Sequence, residues 1–387
     1  VTISRRARAD LGPNELAKAL ARHRAARRSL LDLTPSNPTR AGLPYDGDAI
    51  RDAIAPPGAL VHEPSPFGLE AARRAASSAF GERGVSVDPA RIVLTASTSE
   101  AYAFLFKLLC DPGDAVLVPR PSYPLFEHLA RYEGVRAIQY SLAYDGAWHV
   151  DLASVRKALS PGVRAVVLVS PNNPTGSFTK RDELEAIAAL GLPIISDEVF
   201  AAYPLGPDDP RRARSALEAS EALVFALDGL SKRAALPQLK LAWMAVGGPD
   251  ALAAPALRHL ELLADTFLSP AAPVQHALGR LLELGRTPRN AILERLRANR
   301  AVLDEATAGT AVTALPVEGG WYAVVRLPAV RSEERWALDL LEADGVLVQP
   351  GFFYDFEAEP FVVLSLLTEQ ADFEEGVRRL VRRVERA

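Results

Sequence analysis

The chain has 387 residues, of which 49% are hydrophobic and 24% charged. That is enough apolar material for two domains, or one large and one small. A formal net charge of −4 argues against the broad basic field that nucleic acid or an anionic membrane would require. Cys110 is the single cysteine, which excludes an internal disulfide and a multi-cysteine metal centre. No apolar run approaches the roughly 20 residues of a membrane helix, so the expectation is a soluble, cytoplasmic protein.

Residues 1–31 carry eight Lys/Arg against two acids, Asp10 and Glu15. The pattern predicts a helix over 13–31 inside an N-terminal arm, 1–44, that joins a small C-terminal domain or a second subunit. From 45 to 285, seven short apolar runs alternate with helical patterns: Ile92–Thr95, Ala115–Val118, Ala137–Tyr140, Ala165–Val169, Pro193–Ser196, Ala222–Leu227 and Leu241–Val246. Their aliphatic, weakly alternating character suits strands covered on both faces. Between them, Ala101, Phe104, Leu105, Leu108 and Leu109 recur at helical spacing. The prediction is an α/β large domain with a mostly parallel seven-stranded sheet covered by helices. Residues 286–387 then predict a smaller α/β domain: a helix near 288–308, strands near 320–327, 346–349 and 361–367, and a closing amphipathic helix with Phe373, Val377, Leu380, Val381 and Val384 on one face.

Ligands of open parallel sheets bind beyond the carboxyl ends of the strands, so the residues at the end of each run carry the functional reading. Ser97-Thr98-Ser99 opens a helix and suits a phosphate. Pro119-Arg120-Pro121-Ser122-Tyr123 presents an aromatic ring, and Asn172-Asn173-Pro174 a side-chain amide. Asp197 closes one strand, while Ser231-Lys232 comes after another, with Lys240 eight residues on. Of 44 basic residues only six are lysine, so a lysine here invites amine chemistry that arginine cannot perform. Together these ends supply a phosphate cradle, an aromatic plate, an amide, a carboxylate and an amine. A flat, phosphorylated heteroaromatic aldehyde with a protonatable ring nitrogen requires that set.

On Pro171-Asn172-Asn173-Pro174-Thr175-Gly176, Asp197-Glu198-Val199-Phe200 and Ser231-Lys232 followed by Leu236-Pro237-Gln238-Leu239-Lys240, the chain resembles the class I/II aminotransferases among the fold-type I pyridoxal-phosphate enzymes. Leu33-Thr34-Pro35-Ser36-Asn37-Pro38 is similar to the family's early substrate-side loop. The resemblance implies pyridoxal 5'-phosphate as cofactor, joined to Lys232 as a Schiff base, with Lys232 afterwards shuttling the proton. It implies Asp197 at the ring nitrogen, Asn173 at the ring hydroxyl and Tyr123 on the ring face. Ser97, Thr98 and Ser99 would hold the phosphate, with Lys240 beside it, and Phe200 and Ser231 would also lie against the cofactor. It also implies transfer of an amino group between an amino acid or amine and a keto acid, in a homodimer whose partner subunit is approached by His62.

Four positions depart from the family pattern. Phe200 replaces a tyrosine that donates to the ring oxygen, with Tyr203 nearby in sequence; Gly229 replaces a serine, and Lys240 an arginine. Lysine keeps the charge and gives up the planar fork. Val363 stands where relatives carry the arginine for the substrate's α-carboxylate, and Arg326 is the nearest alternative cation by sequence. That gap keeps a pyridoxal-phosphate lyase or decarboxylase open as the alternative. Ser177-Phe178-Thr179-Lys180 matches the Ser-x-x-Lys of penicillin-binding hydrolases, without their Lys-Thr-Gly and beside a turn where a helix is needed. No Gly-x-Gly-x-x-Gly comes after the first strand, and no histidine spacing suits a metal.

Overall fold

The computed structural model describes residues 2–7, 12–358 and 360–387; residues 1 and 8–11 of the expected N-terminal arm lie outside the described residues. After β1 (Leu31–Asp32) come the eight strands of the main sheet: β2 (Ile92–Thr95), β3 (Ala115–Arg120), β4 (Arg136–Tyr144), β5 (Trp148–Val150), β6 (Val163–Val169), β7 (Ile194–Asp197), β8 (Val224–Gly229) and β9 (Ala242–Gly247). Their spatial order is β2-β9-β8-β7-β6-β3-β4-β5. The pairings from β4 through β3, β6 and β7 to β8 are parallel; β9 runs antiparallel between β8 and β2.

The seven expected runs correspond to β2, β3, β4, β6, β7, β8 and β9, and β5 corrects the count to eight. β5 is a three-residue antiparallel partner of β4, reached through a tight turn in which Gly146 takes φ +111°. Alternate residues of each strand feed opposite layers, as the two-residue period requires. Val93, Phe225 and Leu227 pack with Phe104, Leu105 and Leu260 on one face. Leu94, Ala226 and Trp243 pack with Phe80 and Leu278 on the other.

Four further strands, β10 (Thr313–Ala314), β11 (Tyr322–Arg326), β13 (Gln349–Pro350) and β14 (Phe361–Ser365), form a second sheet in the order β10-β11-β14-β13. β12 (Val346–Leu347) instead pairs in parallel with β1, which ties the arm to this region. The helix expected over 13–31 is shorter, Glu15–Ala25, capped by the Asn14 side chain, which accepts from the Ala17 N–H at 2.8 Å. It stops because Arg27 takes φ +52°, a left-handed conformation incompatible with continuing the helix. Among the described residues no helix is long and apolar enough to cross a membrane.

Candidate active site

Because β2, β3, β6, β7 and β8 all point the same way, their carboxyl ends meet at one edge of the sheet. A cavity of about 190 Å³ opens there, and Thr98, Tyr123, Asn173, Asp197, Phe200 and Lys232 all line it. Five strand ends thus deliver six of the residues singled out by sequence. Ser97, Ser99, Ser231 and Lys240 are not part of its lining. Ser97 caps the helix Thr98–Leu109, its hydroxyl accepting from the Glu100 N–H at 3.2 Å. Lys240 is exposed beyond the Pro237–Leu239 turn, at φ +51°.

The turn after β6 explains why one of two adjacent asparagines is available. Asn172 is consumed by structure. Its amide donates to the Pro121 carbonyl at 3.0 Å and to the Thr175 hydroxyl at 2.9 Å, and it accepts from Ser122 at 3.1 Å. Gly176 closes the turn at φ +73°, where a Cβ would lie 2.1 Å from Val317 Cγ2. Asn173 faces the cavity instead, and its buried Oδ1 has no hydrogen-bond partner among the described residues.

Asp197 ends β7 enclosed by protein, and burial pushes its carboxyl up from 3.8 to about 6. Two donors oppose that shift, the Val199 N–H at 3.2 Å and the Tyr102 hydroxyl at 3.3 Å. Tyr102 lines the cavity too, and the helical pattern of its neighbours gave no sign of this polar task. Lys232 is pulled the other way: burial lowers its ammonium from 10.5 to about 8, partly offset by the Asp197 charge. Its Nζ stands 4.7 Å from the Trp321 ring centroid and 5.5 Å from that of Phe200. An apolar, aromatic enclosure of this kind favours a neutral amine.

Phe200 packs edge-on against Trp321 and Tyr322, with centroids 5.3 and 6.3 Å apart. Tyr203 does not take over the missing hydroxyl, since its own donates to the Lys232 carbonyl at 2.6 Å. Gly229 also has a steric reason. A Cβ there would fall 2.8 Å from Ala242 Cβ and 3.2 Å from the Leu241 carbonyl, so the close approach of β9 excludes serine.

Ser36 from the arm and Tyr322 from β11 complete the cavity wall. Val363, opposite Val324 in the β11–β14 ladder, is 1% exposed. It lies one alternation from the Tyr322–Ser365 pair, on the same face of the sheet. Arg326 is exposed at the far end of β11 and does not line the cavity, which corrects its candidacy as a replacement for the carboxylate arginine. Lys180 of the Ser-x-x-Lys match is held by Glu318 at 2.7 Å and Asp209 at 3.6 Å, so it is a structural cation.

A family model described as aminotransferase class I and II matches residues 50–380. The chain belongs to this family. The alanine aminotransferase of Mycobacterium tuberculosis (strain ATCC 25618 / H37Rv) is 27% identical over 379 residues, covering 93% of this chain and 86% of the relative. The glutamate-pyruvate aminotransferase AlaA of Escherichia coli (strain K12) is 26% identical over 330 residues, covering 81% and 80%. A double mutant of Thermus thermophilus aspartate aminotransferase superposes with a TM-score of 0.84 at 26% identity, covering 99% of each chain.

Class I/II aminotransferases use pyridoxal phosphate, and the cavity of this aminotransferase fits that group on its own evidence. It offers at Asn173 a side-chain amide whose groups are unpartnered among the described residues, its NH2 available to donate, together with a carboxylate and a desolvated amine. At its rim, the helix starting at Thr98 leaves the Thr98 and Ser99 N–H groups without acceptors among the described residues, a ready anion site. Among the described residues no cluster of His, Cys, Asp or Glu is placed to hold a metal.

Proposed function

We propose that this aminotransferase moves amino groups by way of Lys232, with Asp197 and Asn173 positioning the cofactor ring. The observation that supports this reading is the convergence of all three side chains on one cavity although they are 24 to 59 residues apart in sequence. When bound, pyridoxal phosphate supplies an aldehyde that condenses with amines and a ring that accepts the electron pair left at the substrate's α-carbon. Lys232 is the residue that joins the aldehyde. With its ammonium lowered to about 8, a useful fraction is neutral near physiological pH and can lift a proton from the α-carbon. Asp197, ionised above about pH 6, keeps a proton on the ring nitrogen. Asn173 donates to the ring oxygen, Tyr123 covers the ring face, and Thr98 with the adjoining helix N–H groups takes the phosphate.

The amino donor is held without a guanidinium clamp from the described residues, because Val363 is apolar and no arginine among them lines the cavity. Ser36 and Tyr322 are the neutral donors available on that side. We place the enzyme in the cytoplasm as a homodimer, with His62 at the interface. In support, Leu60, Val61, Leu262, Phe267 and Leu268 are large exposed apolar side chains, 50–94% accessible, and a cleft beside them is lined by Val61, His62 and Leu268.

The test is the visible spectrum of protein reconstituted with pyridoxal phosphate, followed during addition of alanine, glutamate, and amines lacking the carboxylate. Bleaching with stoichiometric keto product supports transamination; release of ammonia or carbon dioxide would favour the lyase reading that Val363 leaves open. Borohydride should fix the cofactor to the wild type, and fixation to Lys232→Ala would overturn the assignment.

A further inference from the structure

A second hollow, a cleft of about 680 Å³, shares no lining residue with the cavity of Lys232. It backs onto the same two segments. Arg233, next to Lys232, lines it, as does Arg83, the ion-pair partner of Glu198 beside Asp197. Among the described residues its walls carry seven arginines against three carboxylates.

The carboxylates within reach are shared rather than matched. Glu82 faces Arg286 at 3.1 Å, Arg289 at 3.2 Å and Arg233 at 3.6 Å, Arg233 also meeting buried Asp228 at 3.2 Å, and Glu218 serves both Arg181 and Arg214. The Arg83 side chain is only 10% exposed. One terminal nitrogen meets Glu198 at 2.9 Å, but Nε and Nη2 are buried with no partner among the described residues. Orphaned buried donors of a charged group are costly and rare in native proteins. Arg212 lies flat on the Phe178 ring at 3.3 Å and forms no ion pair among the described residues, so its guanidinium edge is open. Burial first, and then the Arg83 charge, hold Arg212 below the ordinary arginine range. The Arg83 and Arg212 guanidiniums thus repel one another, offset only in part by the charges of Asp208, Glu318 and Glu198.

We propose that this arginine-walled cleft binds a small phosphate-bearing molecule, its phosphate gripped by the open donors of Arg83 and Arg212 with Arg289 alongside. A phosphate presents three outward oxygens, so several guanidinium forks can engage it at once, whereas a single carboxylate fills one fork. The volume exceeds what one inorganic phosphate needs and falls in the range of sites for small organic ligands. This site is separate from the cofactor's own phosphate cradle at Thr98, and it does not depend on the roles assigned around Lys232.

The test is calorimetric titration of pyrophosphate into the full-length holoenzyme, whose cofactor cradle is already filled, against chloride at matched ionic strength. Saturable binding at one site per chain is expected. Arg212→Gln should weaken it at least tenfold and Arg289→Gln severalfold, with Arg212→Lys falling between Arg212→Gln and wild type because it keeps charge without the fork. Arg83 is left intact because it anchors buried Glu198. Arg51→Gln, on the exposed helix Gly47–Ala53, should bind as wild type does. Absence of binding beyond the ionic-strength control would overturn the proposal. So would binding undiminished by Arg212→Gln and Arg289→Gln, or equally diminished by Arg51→Gln.

Discussion

Replacing Asp197 by Asn should make the cofactor-free protein more stable while removing its hold on the cofactor. The wild-type carboxyl titrates at about 6 in the fold, against 3.8 ordinarily. Between those values the native state binds more protons than the unfolded chain, so this group's contribution to stability falls as pH rises through the window. At 1.36 kcal/mol per unit, the ionised carboxylate costs about 3 kcal/mol at pH 7.5 and nothing near pH 3. Asn approximates the neutral acid. It can still accept from the Val199 N–H, and it can donate to the Tyr102 oxygen. Urea unfolding of both proteins from pH 4 to 7.5 measures the difference. The variant's advantage should grow with pH towards about 3 kcal/mol, while its affinity for pyridoxal phosphate collapses. An advantage that does not change with pH, or a variant less stable at pH 7.5, would refute the assignment of a desolvated carboxylate.

Tyr102→Phe removes one hydrogen bond to that carboxylate, a loss of about 1.5 kcal/mol for a long charge-assisted bond, which should raise the Asp197 pKa by about one unit; the change is read from the pH dependence of cofactor affinity. Lys232 works with the opposite sign. Its folded value of about 8 lies below 10.5, so its contribution to stability increases as pH rises from 8 to 10.5, and Lys232→Met should flatten unfolding profiles in that range. Gly229→Ser, the residue usual in relatives, should destabilise by roughly 1–3 kcal/mol through contact with β9, seen as a lower urea midpoint. Gly176→Ala should cost at least as much, because φ +73° and Val317 both oppose a side chain; a wild-type midpoint would contradict the turn geometry.

The parts of this site legible in sequence were those set by strand polarity. Strands buried on both faces announce themselves as aliphatic runs, and the residues just beyond each run must lie at the sheet edge, which is where Tyr123, Asn173, Asp197 and Lys232 stand. β5 escaped because three residues, Trp148–Val150, carry no period of their own. The N-terminal helix ends before its arginine-rich tail, which by propensity favours helix, because the chain reverses at Arg27 and then pairs as β1 with β12, a long-range contact that carries no local signal. Tyr102 was invisible for a different reason. It sits in a helix whose other residues satisfy an apolar stripe, and its link to Asp197 spans 95 positions. Ser36 and Tyr322 reach the cavity from outside the main sheet, and only the packing of the arm and second sheet brings them there.

Trp321 is fully buried, and its ring lies within contact range of Lys232, Phe200 and Tyr203. An indole so close to the reactive amine is a built-in optical probe. Any chromophore seated on that lysine will drain the excited state of the ring, so the protein's own ultraviolet emission should dim as the centre fills and brighten as it empties. Occupancy can then be timed in milliseconds by stopped flow, without a dye, a substrate or a coupled assay.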